Sequence, residues 1–173
     1  MKMPLKKFVH QILKDIQIDV SDDFDRNFER KAFFDKAWPR NKLVNRRGSK
    51  MARTNNLRRS IMSRIQSTEV VFSSSLPYAK IQNDGGEIVV TKQMKKYFWA
   101  MYYEAGGDNN GNPTIEAIQF KNLALMPVGK RIKIPSRRFV GDHPIVRQNV
   151  RTAIRLNIKS AMTSFVDRFK SKL

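Results

Sequence analysis

Residues 142–170 constrain this chain more than any other stretch. Val146, Val150, Ile154, Ile158, Met162, Phe165 and Phe169 return every three or four positions, the spacing that gives an α-helix an apolar side. Asp142 stands where a cap belongs, and Pro144 suits the first turn, where a missing N–H costs nothing. The pattern predicts a helix to about Lys170. Such a helix cannot bury its stripe alone, so the rest of the chain must supply a surface for it. The other end offers one. Leu5, Phe8, Val9, Ile12, Leu13 and Ile16 follow Pro4 at helical spacing, and a second helical stretch runs from Ser21, with Asp22 and Asp23 behind it, through Phe24, Phe28 and Ala32 to Phe33. Two helices or one bent helix both satisfy this pattern.

The middle changes period. Residues 62–66 and 70–74 alternate and are rich in β-branched side chains, with a turn at 67–69, which predicts a hairpin. A short helix over 57–61, capped by Thr54 or Asn55, precedes it. Pro77 opens a helical turn through Tyr78, Ala79 and Ile81 that Asn83-Asp84-Gly85-Gly86 ends. Short strands are expected at 88–91 and 132–134. An aromatic-rich helix is expected over 92–104, with Tyr97, Phe98, Met101 and Tyr102 on its apolar side, and a loop over 106–113. With 11 Phe, 4 Tyr and 2 Trp the chain can fill a core. No repeat or clean boundary divides it. The reading is a single α+β domain over 1–173, a small antiparallel sheet packed against long N- and C-terminal helices.

Charge is the strongest compositional signal. With 34 Lys and Arg against 15 Asp and Glu, the net charge is +19, beyond what solubility requires, and it predicts an acidic or polyanionic partner. Arg147, Arg151, Arg155 and Lys159 stand four apart and form one stripe on the last helix. Like charges at that spacing cost roughly 0.2–0.5 kcal/mol per pair in an isolated helix, so acidic groups are expected to face them. A second basic stretch, the loop at about 40–56, carries Arg46, Arg47, Lys50 and Arg53. Loops of this length are usually functional or disordered.

Catalytic constellations are missing. The chain has no cysteine, which removes disulfides, thiolate metal sites and cysteine nucleophiles. His10 and His143 lie far apart, and His143, before Pro144, belongs to a helix start. No phosphate-binding loop, dinucleotide fingerprint, nucleophile elbow or zinc-protease helix motif is present. Asp22, Asp23 and Asp25 read as acids compensating a helix dipole, and Lys95-Lys96-Tyr97-Phe98-Trp99 as core beside a solvated edge. No catalytic, metal or cofactor residue is assigned, and no enzyme is expected. No run approaches the roughly 20 apolar residues of a membrane span, and the N-terminus lacks a signal-peptide pattern. A soluble chain, made inside the cell and without a membrane partner, is expected.

Three motifs follow one another in order. The first is Leu57-Arg58-Arg59-Ser60-Ile61. The second is Tyr78-Ala79-Lys80-Ile81-Gln82-Asn83-Asp84-Gly85-Gly86. The third is Ile134-Pro135-Ser136-Arg137-Arg138-Phe139-Val140-Gly141, just before the final helix. In this order, with Trp38-Pro39 upstream, they resemble the phage virion morphogenesis family of tail-completion proteins. Residues 92–127 then look like an insertion, and Gln82 replaces the family's usual His. The resemblance implies a virion protein made in the host cytoplasm. The resemblance further implies an oligomeric ring, a hexamer, at the head–tail junction, between neck or connector proteins and the tail tube, and genomic DNA is then expected to pass non-specifically through its lumen. Leu57, Ser60, Tyr78, Gly85, Gly86, Pro135 and Phe139 become structural positions. Of Arg137 and Arg138, one is expected to pair inward and the other to face a neighbour. The alternative, a basic nucleic-acid-binding protein, explains the charge but not three ordered motifs.

Overall fold

The structure, a computed structural model, describes residues 4–40, 51, 54–108 and 111–170. Its contacts fall into two compact units. The first comprises Met1–Ala37, Leu57–Leu76 and Phe139–Leu173, the second Trp38–Asn56 and Pro77–Arg138. The α+β class holds, with long helices at both ends. The β component is three separate two-stranded antiparallel pairs among the described residues, not one sheet.

In the first unit, α1 (Leu5–Arg30) is a single helix. No Gly or Pro interrupts it, so nothing stops the helix at Ser21. Ser21 is therefore not a cap. Its hydroxyl meets that of Ser63 at 3.0 Å, and Gln17 reaches the Ser63 carbonyl at 2.9 Å. Asp22, Asp23 and Asp25 likewise sit in mid-helix and compensate no dipole, contrary to expectation. Lys31, left-handed at φ 52°, closes the helix by donating its N–H to the Asn27 carbonyl.

A tight turn then joins β1 (Ala32–Phe33) to β2 (Lys36–Ala37), so Phe33 ends in a strand and not in the helix. Phe34, in this turn, has φ 54°, a conformation that costs an L-residue about 1–2 kcal/mol. Burial of its ring offsets that cost. It lies 5.0 Å from Phe33 and stacks on His143 at 4.4 Å. Val20, Phe24, Phe33 and Phe34 form the core, with Phe72, Val140, Val146 and Val150 packed against it.

The hairpin is β3 (Ile61–Gln66) and β4 (Glu69–Ser74). Gln66 opposes Glu69, so the loop is only Ser67–Thr68, and Ser67 takes a positive φ of 54°. The last helix, α6 (Pro144–Lys170), is capped by His143 and not by Asp142. The His143 Nδ1 accepts the Ile145 N–H at 3.3 Å, which leaves the Nε2–H to donate to Asp35 at 2.9 Å. Asp142 instead binds Arg147. Asn149 donates to Asp23 and Asn157 to Asp15, at 2.6 and 2.8 Å. Eight residues along α6 match eight backwards along α1, so the two helices run antiparallel.

Asn27 ties this unit together. It is fully buried. Its amide donates to the Phe139 carbonyl at 3.1 Å and accepts the Phe34 N–H at 3.0 Å. One side chain thus joins α1, the β1–β2 turn and the segment that leads into α6.

In the second unit, β5 (Gly86–Val89) pairs with β6 (Arg131–Ile134). Between them runs a helical hairpin, α4 (Lys92–Glu104) and α5 (Ile115–Ala124). Residues 92–127, read as an insertion, are therefore two helices set between paired strands. Thr91 caps α4 through the Met94 N–H and is not the end of a strand. Trp99 is half-buried on α4, whereas Tyr97 is exposed and not on the packed side. Helix α5 was not anticipated, although Thr114 caps it by accepting the Ala117 N–H at 3.1 Å. Helix α3 (Ala79–Asp84) ends at Gly85, where φ is 76° and ψ −175°. Only glycine adopts that region readily, and a Cβ there would sit 2.8 Å from the Ser136 nitrogen.

Two stability outcomes follow. Asn27→Ala leaves a donor and an acceptor without partners and should destabilise the first unit by about 3 kcal/mol. Gly85→Ala should cost about 2 kcal/mol or more. Thermal or urea unfolding checks both, and a change below ~0.5 kcal/mol would contradict the assigned role.

Candidate interaction surface

The motif residues form internal joints. Leu57, on the short helix α2 (Asn56–Arg59), is buried. Ser60 donates to the Leu57 carbonyl at 2.8 Å and meets the Ser74 hydroxyl at 2.7 Å, closing the open end of the β3–β4 hairpin. Ile61 begins β3 and does not continue α2. Arg58 was not singled out in the sequence, yet it binds Asp25 through two nitrogens and Glu29 at 2.7 Å. That grip fastens the start of the hairpin to α1. The Arg58 hydrogen bonds hold the Asp25 carboxyl below its ordinary pKa and raise that of Arg58 itself. Only its place in the first motif signalled this role.

The second and third motifs meet directly. The Arg137 N–H donates to the Gln82 carbonyl at 2.8 Å, and the Ser136 hydroxyl to the Asn83 carbonyl at 2.6 Å. Gly85 lacks the Cβ that would keep these segments apart, and Gly86, at φ 151°, begins β5 beside Ile81. Pro135 follows β6 and directs the chain to this junction. Arg137 is buried, which lowers its pKa, and it donates to the Pro39 carbonyl at 3.2 Å. Trp38 donates to the Arg138 carbonyl at 2.6 Å, so the Trp38-Pro39 pair is part of the same joint. The Arg138 side chain is exposed and Tyr78 is 43% exposed. In the first unit, buried Phe139 packs on Phe28 with ring centroids 5.1 Å apart.

The outer surface of α6 carries the basic stripe. Arg147, Arg151, Arg155 and Lys159 are all exposed. Asp142 grips Arg147 and raises its pKa. No described carboxylate lies within ion-pair distance of Arg151, Arg155 or Lys159. The acids expected to face them are therefore not supplied by the described residues of the chain itself.

The apolar stripe departs from the sequence reading. Each step of four residues turns a helix by 400°, so an i, i+4 row drifts by about 40° per step. Val146 and Val150 face the core and Ala153 is buried. Four steps on, Met162 has turned by roughly 160° and is 64% exposed. Ile158, Phe165 and Val166 are also exposed. Asn157 faces α1 through Asp15, Ser160 and Ser164 beyond it are exposed, and Phe8 of α1 shares a depression with Ile158, Ala161, Met162, Phe165 and Val166. The distal half of α6 thus presents Ile158, Met162 and Val166 with Arg155, Lys159, Lys170 and one acid, Asp167, around one open depression. The Phe169 side chain lies outside the described residues. So do Arg46, Arg47, Lys50 and Arg53 of the basic loop.

Among the described residues no group of three or more His, Asp or Glu side chains stands together as a metal would need. Nor is any helix among them long and apolar enough to cross a membrane. The three mid-helix acids have separate surroundings: Asp22 pairs with Arg26 at 2.6 Å, Asp23 accepts from Asn149, and Asp25 holds Arg58. Comparison with family models, curated proteins and solved structures found no match.

Arg58→Ala should destabilise the first unit by about 1–2 kcal/mol near neutral pH, a value discounted for the partial exposure of the pair. The Asp25 pKa is lowered in the folded state, so its contribution is present above the ordinary carboxylate range. It is lost as pH falls through the lowered value. The difference between wild type and variant should therefore shrink in acid. Urea titrations across that range check this, and a difference independent of pH would contradict it.

Proposed function

We propose that this chain is a non-enzymatic structural protein of a tailed-phage virion, assembling with copies of itself into a ring at the head–tail junction. The observation that carries the reading is the distal half of α6, an exposed apolar and basic surface whose chemistry suits burial against another molecule. The resemblance supplies the class. Its second and third motifs meet through main-chain hydrogen bonds, and its first clamps a hairpin to α1, so the resembling residues serve as joints of a scaffold.

Net charge sets the conditions for assembly. A ring of six copies carries six times +19, and at low ionic strength that charge repels over long distances. The Debye length is about 30 Å at 0.01 M salt and about 8 Å at 0.15 M. Moderate salt therefore suppresses repulsion between whole subunits, while groups in contact still interact. DNA in the lumen and acidic neck or tail-tube neighbours would neutralise charge in the particle.

The recombinant protein should sediment as a monomer at about 0.01 M salt and associate as salt rises towards ~0.15 M. Analytical ultracentrifugation at both conditions reads this directly. A stable ring at the lower salt would contradict the electrostatic part of the reading. Tight, steeply salt-weakened binding to free duplex DNA, with no self-association, would favour a nucleic-acid-binding protein instead.

A further inference from the structure

The acids of this basic chain are unevenly placed: six of them fall in α1 at Asp15, Asp19, Asp22, Asp23, Asp25 and Glu29. Asp25 and Glu29 are taken by Arg58, Asp23 by Asn149 and Asp22 by Arg26, while Asp15 accepts, among the described residues, only from the neutral amides of Gln11 and Asn157. Helical spacing leaves Asp15, Asp19 and Asp22 on a face with Ile18 among them. Asp19 and Asp22 are exposed. Asp19 has no partner among the described residues, and Ile18 is 58% exposed. Exposed Ile18 beside the unpartnered Asp19 complements the distal α6 surface, where Met162, Ile158 and Val166 stand among Arg155, Lys159 and Lys170 with the single acid Asp167.

We infer that the distal face of α6 in one copy docks on the Asp15–Asp19–Asp22 face of α1 in the next copy, with Ile18 and Met162 at the centre of the contact. The inference rests on the ring reading and names the surfaces that would build the ring. Charge complementarity selects the occupant. Two α6 tips meeting would bring Arg155 and Lys159 against their own kind, whereas α6 on α1 sets them beside Asp19, which no described residue meets, and beside Asp15, whose described partners are the neutral amides of Gln11 and Asn157. Because the two surfaces differ, the contact is heterologous. Each copy then offers one face and accepts another, and such contacts either close into a ring or propagate.

The absence of cysteine allows a direct test in the full chain. Ile18→Cys and Met162→Cys are prepared separately and oxidised at ~0.15 M salt, alone and as a mixture. Both positions are exposed, so folding should survive. The expected result is a disulfide-linked dimer formed mainly in the mixture, by joining the two different variants. The doubly substituted chain should give a ladder of linked species. On the same cysteine background, Asp19→Lys with Asp22→Lys, or Arg155→Glu with Lys159→Glu, should each reduce the linked product about ten-fold. Mixing the two charge variants should restore it.

Linkage of Met162→Cys to itself would show α6 tips meeting and overturn the inference. Charge swaps without effect on linkage would also overturn it. If the wild type sediments as a ring while the mixed pair does not link, this contact is wrong and the ring reading stands. If the wild type is monomeric at every ionic strength and nothing links, both fall.

Discussion

The first unit is organised around one buried amide. Asn27 sits on the inner side of α1, donates to Phe139 and accepts from Phe34. Both bonds go to main chain that no regular ladder satisfies, and buried groups of that kind must find partners. The amide therefore fixes where the chain turns after α1 and where it enters α6. Phe34 can then hold a left-handed backbone, because its N–H is anchored by Asn27 and its ring is packed between Phe33 and His143. His143, placed by that stacking, caps α6 through one ring nitrogen and reaches Asp35 through the other. A sequence of dependencies runs from one asparagine to the start of the helix that bears the candidate surface.

Much of this architecture was legible. The two terminal helices, the hairpin and α4 follow from apolar period and from breakers such as Pro77 and Gly85. What was not legible depended on tertiary partners. Ser21 has the identity of a cap, but a helix already under way overrides that preference. Asp142 was the expected cap of α6 and His143 does the work, because Arg147 takes Asp142 first. Helix α5 is apolar on most sides and shows no clear stripe to announce it. Asn27 is a polar letter in a charged helix, and nothing local distinguishes it from an exposed one. Arg147, Arg151, Arg155 and Lys159 are exposed along α6 as their spacing predicts, but the apolar residues do not keep to one face. A four-residue row drifts around a helix, and that drift turns Met162 outward.

That drift links the fold to the proposed role. A strictly inward stripe would leave α6 with nothing to offer a partner. Instead the proximal half closes the core with Val146, Val150 and Ala153, while the distal half leaves its apolar residues exposed, with Phe8 of α1 on one side and Arg155 and Lys159 on the other. Along α6 the neutral Asn149 and Asn157 bind Asp23 and Asp15, so these contacts with α1 use none of its Arg and Lys. The charges remain available for carboxylates elsewhere. The remaining excess of positive charge makes assembly depend on ionic strength and on acidic surroundings.

Cryo-electron microscopy of the assembled particle tests the central claim most directly. A ring of this chain at the head–tail junction, with DNA on its axis and distal α6 buried against neighbouring protein, is the expected density. A mature particle without this chain would contradict the structural role and shift the basic surface to a function in assembly or in nucleic-acid binding.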